Sequence, residues 1–187
     1  MIRIDKEIDD KRVCQGDIIA NVEFVEYAIE KHGQIEISKI IFPYVYVLTQ
    51  DCDLEQDYAN KANKDSDDQD KHLISVIVAP LYNIEQVYEG SHLEDIGLKM
   101  RTISKSKSKT ENKLLRQNNN PRYQYMEFNT DVSITNSVID FKHYFTVNNN
   151  LLLENKKKNF VCKVSELYRE NISHRFAFFL SRIGLPV

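Results

Sequence analysis

Two stretches of the chain are apolar at nearly every position: residues 44–48 (YVYVL) and 74–81 (ISVIVAPL). Both interleave β-branched residues with larger ones, the pattern of strands covered on both faces. Upstream, Ala20, Val22 and Phe24 alternate with partly polar neighbours, as in a half-buried strand, and Lys31-His32-Gly33-Gln34 reads as a turn into a second strand beginning at Ile35 and Ile37. The opening residues 1–11 carry no period and read as a mobile arm or a short helical lead-in.

The later half is less regular. Ile84, Val87, Tyr88, Leu93, Ile96 and Leu98 predict one or two short helices, followed by a solvated serine and lysine alternation and a helical piece around Leu114 and Leu115. Strands are expected again at 122–128 and 138–147, with Asn148-Asn149-Asn150 as a hairpin turn into Leu151-Leu152-Leu153, and a short strand at 159–163. The clearest helix closes the chain. Ser165 stands as its N-cap, Leu167, Tyr168, Ile172, Phe176, Phe179, Leu180 and Ile183 recur at helical spacing, and Gly184 and Pro186 stop it. The expected whole is an α+β protein of one domain. Its parts are a bent β-barrel core over 1–82, a helical and basic insertion over 83–120, and returning strands with the C-terminal helix over 121–187.

At 187 residues, with 42% hydrophobic and 28% charged residues, the chain can build one well-buried core. No apolar run approaches the roughly 20 residues that cross a bilayer, and the N-terminus lacks a signal-peptide profile, so a cytoplasmic protein that makes no membrane contact is expected. Three widely spaced cysteines, Cys14, Cys52 and Cys162, predict free thiols. The net charge of -3 conceals an acidic stretch over 51–70 and a basic one over 99–116.

The candidate chemistry gathers where the first buried strand ends, at Thr49-Gln50-Asp51-Cys52-Asp53. With aspartates on both sides Cys52 is a poor thiolate, and the plain alternative is a packed cysteine in a turn capped by its neighbours. If a site exists, it is a mouth in which Gln15, Thr49, Gln50 and Cys52 orient a ligand, while Asp17, Asp51 and Asp53 act as base or hold a divalent cation, the one cofactor they suggest. Zinc-ligand spacing is absent, and Asp65-Ser66-Asp67-Asp68-Gln69-Asp70 reads as a solvated loop. Lys99, Arg101, Lys105, Lys107, Lys109, Lys113 and Arg116 form a basic segment that could meet phosphates, against the reading of a solvated linker. Glu154-Asn155-Lys156 has the form of half a PD-(D/E)xK nuclease motif, but it sits in a lysine-rich turn and supports nothing alone.

Set side by side, Gln15-Gly16-Asp17-Ile18-Ile19, Pro43-Tyr44-Val45-Tyr46-Val47-Leu48-Thr49 and Val76-Ile77-Val78-Ala79-Pro80-Leu81 resemble the core of the MazF/PemK toxin family. The resemblance covers roughly the first half and implies an SH3-like barrel. That family cleaves RNA with an arginine just before the proline and a threonine after the third strand; here Phe42 and Tyr82 stand at those places. The remainder, including Asp140-Phe141-Lys142 and the closing residues 182–186, resembles bacterial proteins that share a TQxCDL-type motif. The expectation is a bacterial binding or accessory module of a toxin-antitoxin or phage-defence system, meeting a protein partner or nucleic acid. The rival is a metal-assisted nuclease or hydrolase using Asp17, Asp51 and Asp53.

Overall fold

The computed structural model describes residues 2–63 and 68–182, so Asp65 and Asp67 of the acidic run and the Gly184 and Pro186 stop lie outside the described residues. Eight strands form one strongly curled, antiparallel, half-barrel sheet. They are β1 (Ile4–Asp5), β2 (Asp17–Lys31), β3 (Gln34–Val47), β4 (Ser75–Asn83), β5 (Tyr123–Met126), β6 (Ser137–Asp140), β7 (Phe145–Asn148) and β8 (Phe160–Val164). The path runs β1-β8-β2-β3-β4-β6-β5, with β7 also paired to β4. The α+β class is thus observed. Among the described residues no helix is long and apolar enough to cross a membrane.

The all-apolar runs become central strands because both faces of the sheet are covered. Val45, Val47, Val76 and Val78 join one core, and Tyr46, Leu48, Ala79 and Leu81 join the other, as strand alternation requires. The first core is closed by Leu54 of α1 (Asp51–Ala62), Val87 of α2 (Ile84–Glu89), Leu115 of α3 (Thr110–Arg116) and Leu152 of α4 (Asn149–Asn159). The second is closed by α5 (Glu166–Leu180), whose Ile172 and Phe176 are buried and contribute about 1.5–3 kcal/mol each. The β2–β3 ladder skips Asn21 and Pro43, where Asn21 adopts a positive φ of 54° and Pro43 has no amide proton to donate, but keeps its register there and shifts it between Val25 and Tyr27.

Several expectations are corrected. The polar cluster is not followed by a loop: Asp51 opens α1, and Cys52 is exposed on it, not packed. The asparagine run is no hairpin turn, since Asn148 caps α4 by accepting from the amides of Asn150 and Leu151. The leucines after it are therefore helical, and so is Lys156. The strand expected at 138–147 is β6 and β7 separated by a 3-10 turn at Phe141–His143. The opening residues supply β1, which pairs with β8. On α5, Ser165 holds the N-cap position without a side-chain bond, and Leu167 is exposed.

Candidate functional site

The expected mouth turns out to be a clamp. Gly16, at φ +85°, makes a tight turn in which a Cβ would meet the Val164 carbonyl at 3.1 Å. Two carboxylates hold that turn from different sides: Asp17 Oδ2 accepts from the Cys14 amide at 2.7 Å and Asp51 Oδ1 from the Gln15 amide at 3.0 Å. Asp17 is fully buried and paired with the equally buried Lys156 at 2.7 Å, whose ammonium also donates to the Arg12 carbonyl at 2.8 Å. Burial pushes the Asp17 carboxyl up, against the pull of Lys156. Burial would raise Asp51 too, but the Arg12 guanidinium at 3.0 and 3.2 Å, the Gln15 amide and Arg169 hold it below its ordinary range.

The neighbouring polar groups are engaged within the protein as well. Gln15 Nε2 donates to the Leu48 carbonyl at 3.3 Å, and Thr49 Oγ accepts from the Ile77 amide at 2.7 Å. Gln50, Cys52 and Asp53 face one another at the exposed start of α1, where Cys52 Sγ lies 3.6 Å from Gln50 and 3.7 Å from Asp53. Among the described residues no group of three or more His, Cys, Asp or Glu is placed to hold a metal ion. Asp17 and Asp51 are neutralised by separate cations, so the geometry gives them anchoring work and no shared ligand.

The basic segment is also partly spent. Arg101 pairs with Glu111, Lys105 with Glu85 and Glu89, and Arg116 donates to the hydroxyls of Tyr88 and Tyr125. Lys107, Lys109 and Lys113 remain solvated, without an ion pair among the described residues.

A different place gathers apolar walls and polar groups. A cavity of about 360 Å³ opens at the root of the β2–β3 hairpin, between Ile40, Phe42 and Tyr44 of β3, the end of β4 at Tyr82, and the 3-10 turn Glu94–Ile96. Phe42 and Tyr82 both line it. His92 packs on Tyr82 with ring centroids 4.7 Å apart and the ring planes tilted by 57°, and both its ring nitrogens are closed off from solvent. Behind the wall, Tyr82 Oη lies 3.1 Å from His143 Nδ1, and the fully buried Asp140 receives Arg122 Nε at 2.8 and 3.0 Å and faces His143 at 3.4 Å. Burial lowers both imidazoles, against the field of Asp140, and raises the Tyr82 hydroxyl, which Asp140 raises further.

Both histidines therefore take up protons at a lower pH in the fold than in the unfolded chain, where they become charged below pH about 6.5. The unfolded state binds more protons there, so stability falls as pH drops below that value, and the depressed Asp51 extends the loss to lower pH. Urea unfolding at pH 5.5 and 7.5 will show the drop, and H92Q/H143Q will flatten it; an equal slope in the variant would rule out the imidazoles as its source.

Sequence reasoning missed Lys156, His92, Arg122, Asp140 and His143 as a group. The only local signal was weak: Leu152 and Lys156 lie one helical turn apart, which puts both on the buried face of α4.

The last feature is the hairpin itself. From Val25 to Lys39 the two strands pair only with each other. Ile35 is 73% exposed, Ile37 60%, and Val25 and Tyr27 53% each. Fold and site thus define an α+β protein with a curled sheet, a walled cavity and a projecting apolar arm. No protein-family model and no curated protein matches the chain.

Proposed function

We propose that this protein is a binding module that works by holding a protein partner on the β2–β3 arm. The observation that carries this reading is the exposure of Val25, Ile35 and Ile37 on one face, and of Tyr27 on the other, of a ribbon with no third strand. A two-stranded hairpin is marginal in water, and both its edges offer unpaired backbone groups, so a protein that keeps apolar side chains there gains most by covering them. The arm carries Glu23, Glu26, Glu30 and Glu36 against Lys31 and Lys39, which favours a partner surface that is apolar with basic groups around it. The likeness to the MazF/PemK barrel supports placing the module in a bacterial toxin-antitoxin or phage-defence system, with Phe42 and Tyr82 in place of the RNA-cleaving pair.

Affinity capture from the native cell with the full chain and with I35E/I37E tests the reading. The expected result is one stoichiometric partner retained by the parent chain and lost by the variant, with thermal stability unchanged within about 1 kcal/mol because both side chains are already in solvent. A partner held equally by both chains overturns it. Concentration-dependent dimers of the purified protein that vanish in the variant would make a second copy the occupant and overturn the separate partner.

A further inference from the structure

The cavity at the arm's root lies directly beside the part of β3 that has no neighbour on its outer side. The β3–β4 ladder begins only at Val45, so residues 34–44 offer an open edge that leads into the cavity lined by Phe42 and Tyr44. No lysine or arginine lines that cavity, whereas Glu94 and Asp95 stand at its rim, so an anion is disfavoured there and a cation is attracted. Three aromatic residues, Phe42, Tyr44 and Tyr82, form its walls. His92 adds a fourth ring, packed on Tyr82 with centroids 4.7 Å apart.

From these features we infer that the partner enters as an extended segment along the open edge of β3 and seats an arginine side chain in the cavity. Strand addition supplies affinity through the backbone, and the cavity supplies selectivity through one side chain. A planar guanidinium suits the site better than an ammonium because it can stack on an aromatic face while donating to Glu94 and Asp95. The inference rests on the arm reading above for the partner itself.

The test uses the full chain and N-acetyl-L-arginine amide as the probe, followed by NMR titration, with the neutral citrulline analogue as the control. Saturable binding is expected, with shifts at His92 and residues 40–44, and with the citrulline analogue at least about fivefold weaker. E94Q/D95N, which changes exposed groups only, should weaken the arginine probe by about fivefold with stability unchanged. Equal affinities for the two probes, or no arginine binding while I35E/I37E still loses its partner, overturn the inference and leave the arm reading standing. Retention of the partner by I35E/I37E overturns the arm reading whatever the probe does.

Discussion

Replacing Lys156 by methionine is expected to destabilise the protein by about 3–5 kcal/mol, because it leaves the Asp17 carboxylate buried without a counter-ion. Asp17 and Lys156 are both inaccessible to solvent, and Asp17 Oδ1 has no hydrogen-bond partner even with the lysine present. In a chain of this size that loss corresponds to a fall of roughly 10 °C in Tm. Without the lysine, Asp17 escapes the cost by staying protonated when folded, so the folded state binds the extra proton. Stability of K156M should therefore decline as pH rises from 5 to 8, the reverse of the histidine effect. The double variant D17V/K156M should recover most of the loss, since an apolar pair of suitable volume removes the buried charge altogether. Urea unfolding of the three chains decides it; a K156M protein within about 1 kcal/mol of the parent would mean that the pair holds nothing together.

Asp140→Ala is expected to cost about 3 kcal/mol and to disorder the wall of the cavity. The carboxylate is fully buried and receives Arg122, faces His143, and caps the 3-10 turn by accepting from the Lys142 amide at 3.0 Å. Its removal strands the Arg122 guanidinium and frees the His143 ring that meets Tyr82. Thermal unfolding measures the cost, and loss of the contact between Tyr82 and His143 in NMR spectra measures the disorder. D140N, which keeps the shape and one acceptor oxygen, should fall between the parent and D140A. If D140A melts with the parent, the Arg122–Asp140 pair contributes nothing to the wall.

The two variants bear on different parts of the molecule. Lys156 ties α4 to the Gly16 turn and so fixes the body from which the arm leaves, while Asp140 holds the His143 ring that meets Tyr82 of the cavity wall. Neither touches the exposed isoleucines, so both leave the proposed partner surface chemically intact.

Much of the sheet was legible because its strands announce themselves locally. Residues 45–48 and 76–81 face a core on each side of the sheet and so are apolar throughout, and α5 carries Ile172 and Phe176 one turn apart. Two helices were hidden for identifiable reasons. In α1 only Leu54 and Asp57 are buried, so no apolar stripe exists to be seen. In α4 the buried face is Leu152 and a lysine, and the Asn148 cap uses the same residue types as a tight turn. The aspartates flanking Cys52 were conspicuous by type, yet a carboxylate that binds a ligand and one that anchors a turn look the same until Arg12, Lys156 and Arg169 are placed around them.

By itself the chain determined the two central strands and that a closing helix packs against the sheet, because burial on two faces or along one stripe is written in the spacing of apolar residues. Only the tertiary structure decided that Asp17 meets Lys156 across 139 positions of chain, that Tyr82, His92 and His143 share one wall, and that the hydrophobic residues of the β2–β3 ribbon face water. Ion pairing, cavity formation and exposure depend on distances between residues remote in sequence, and no local pattern carries that information.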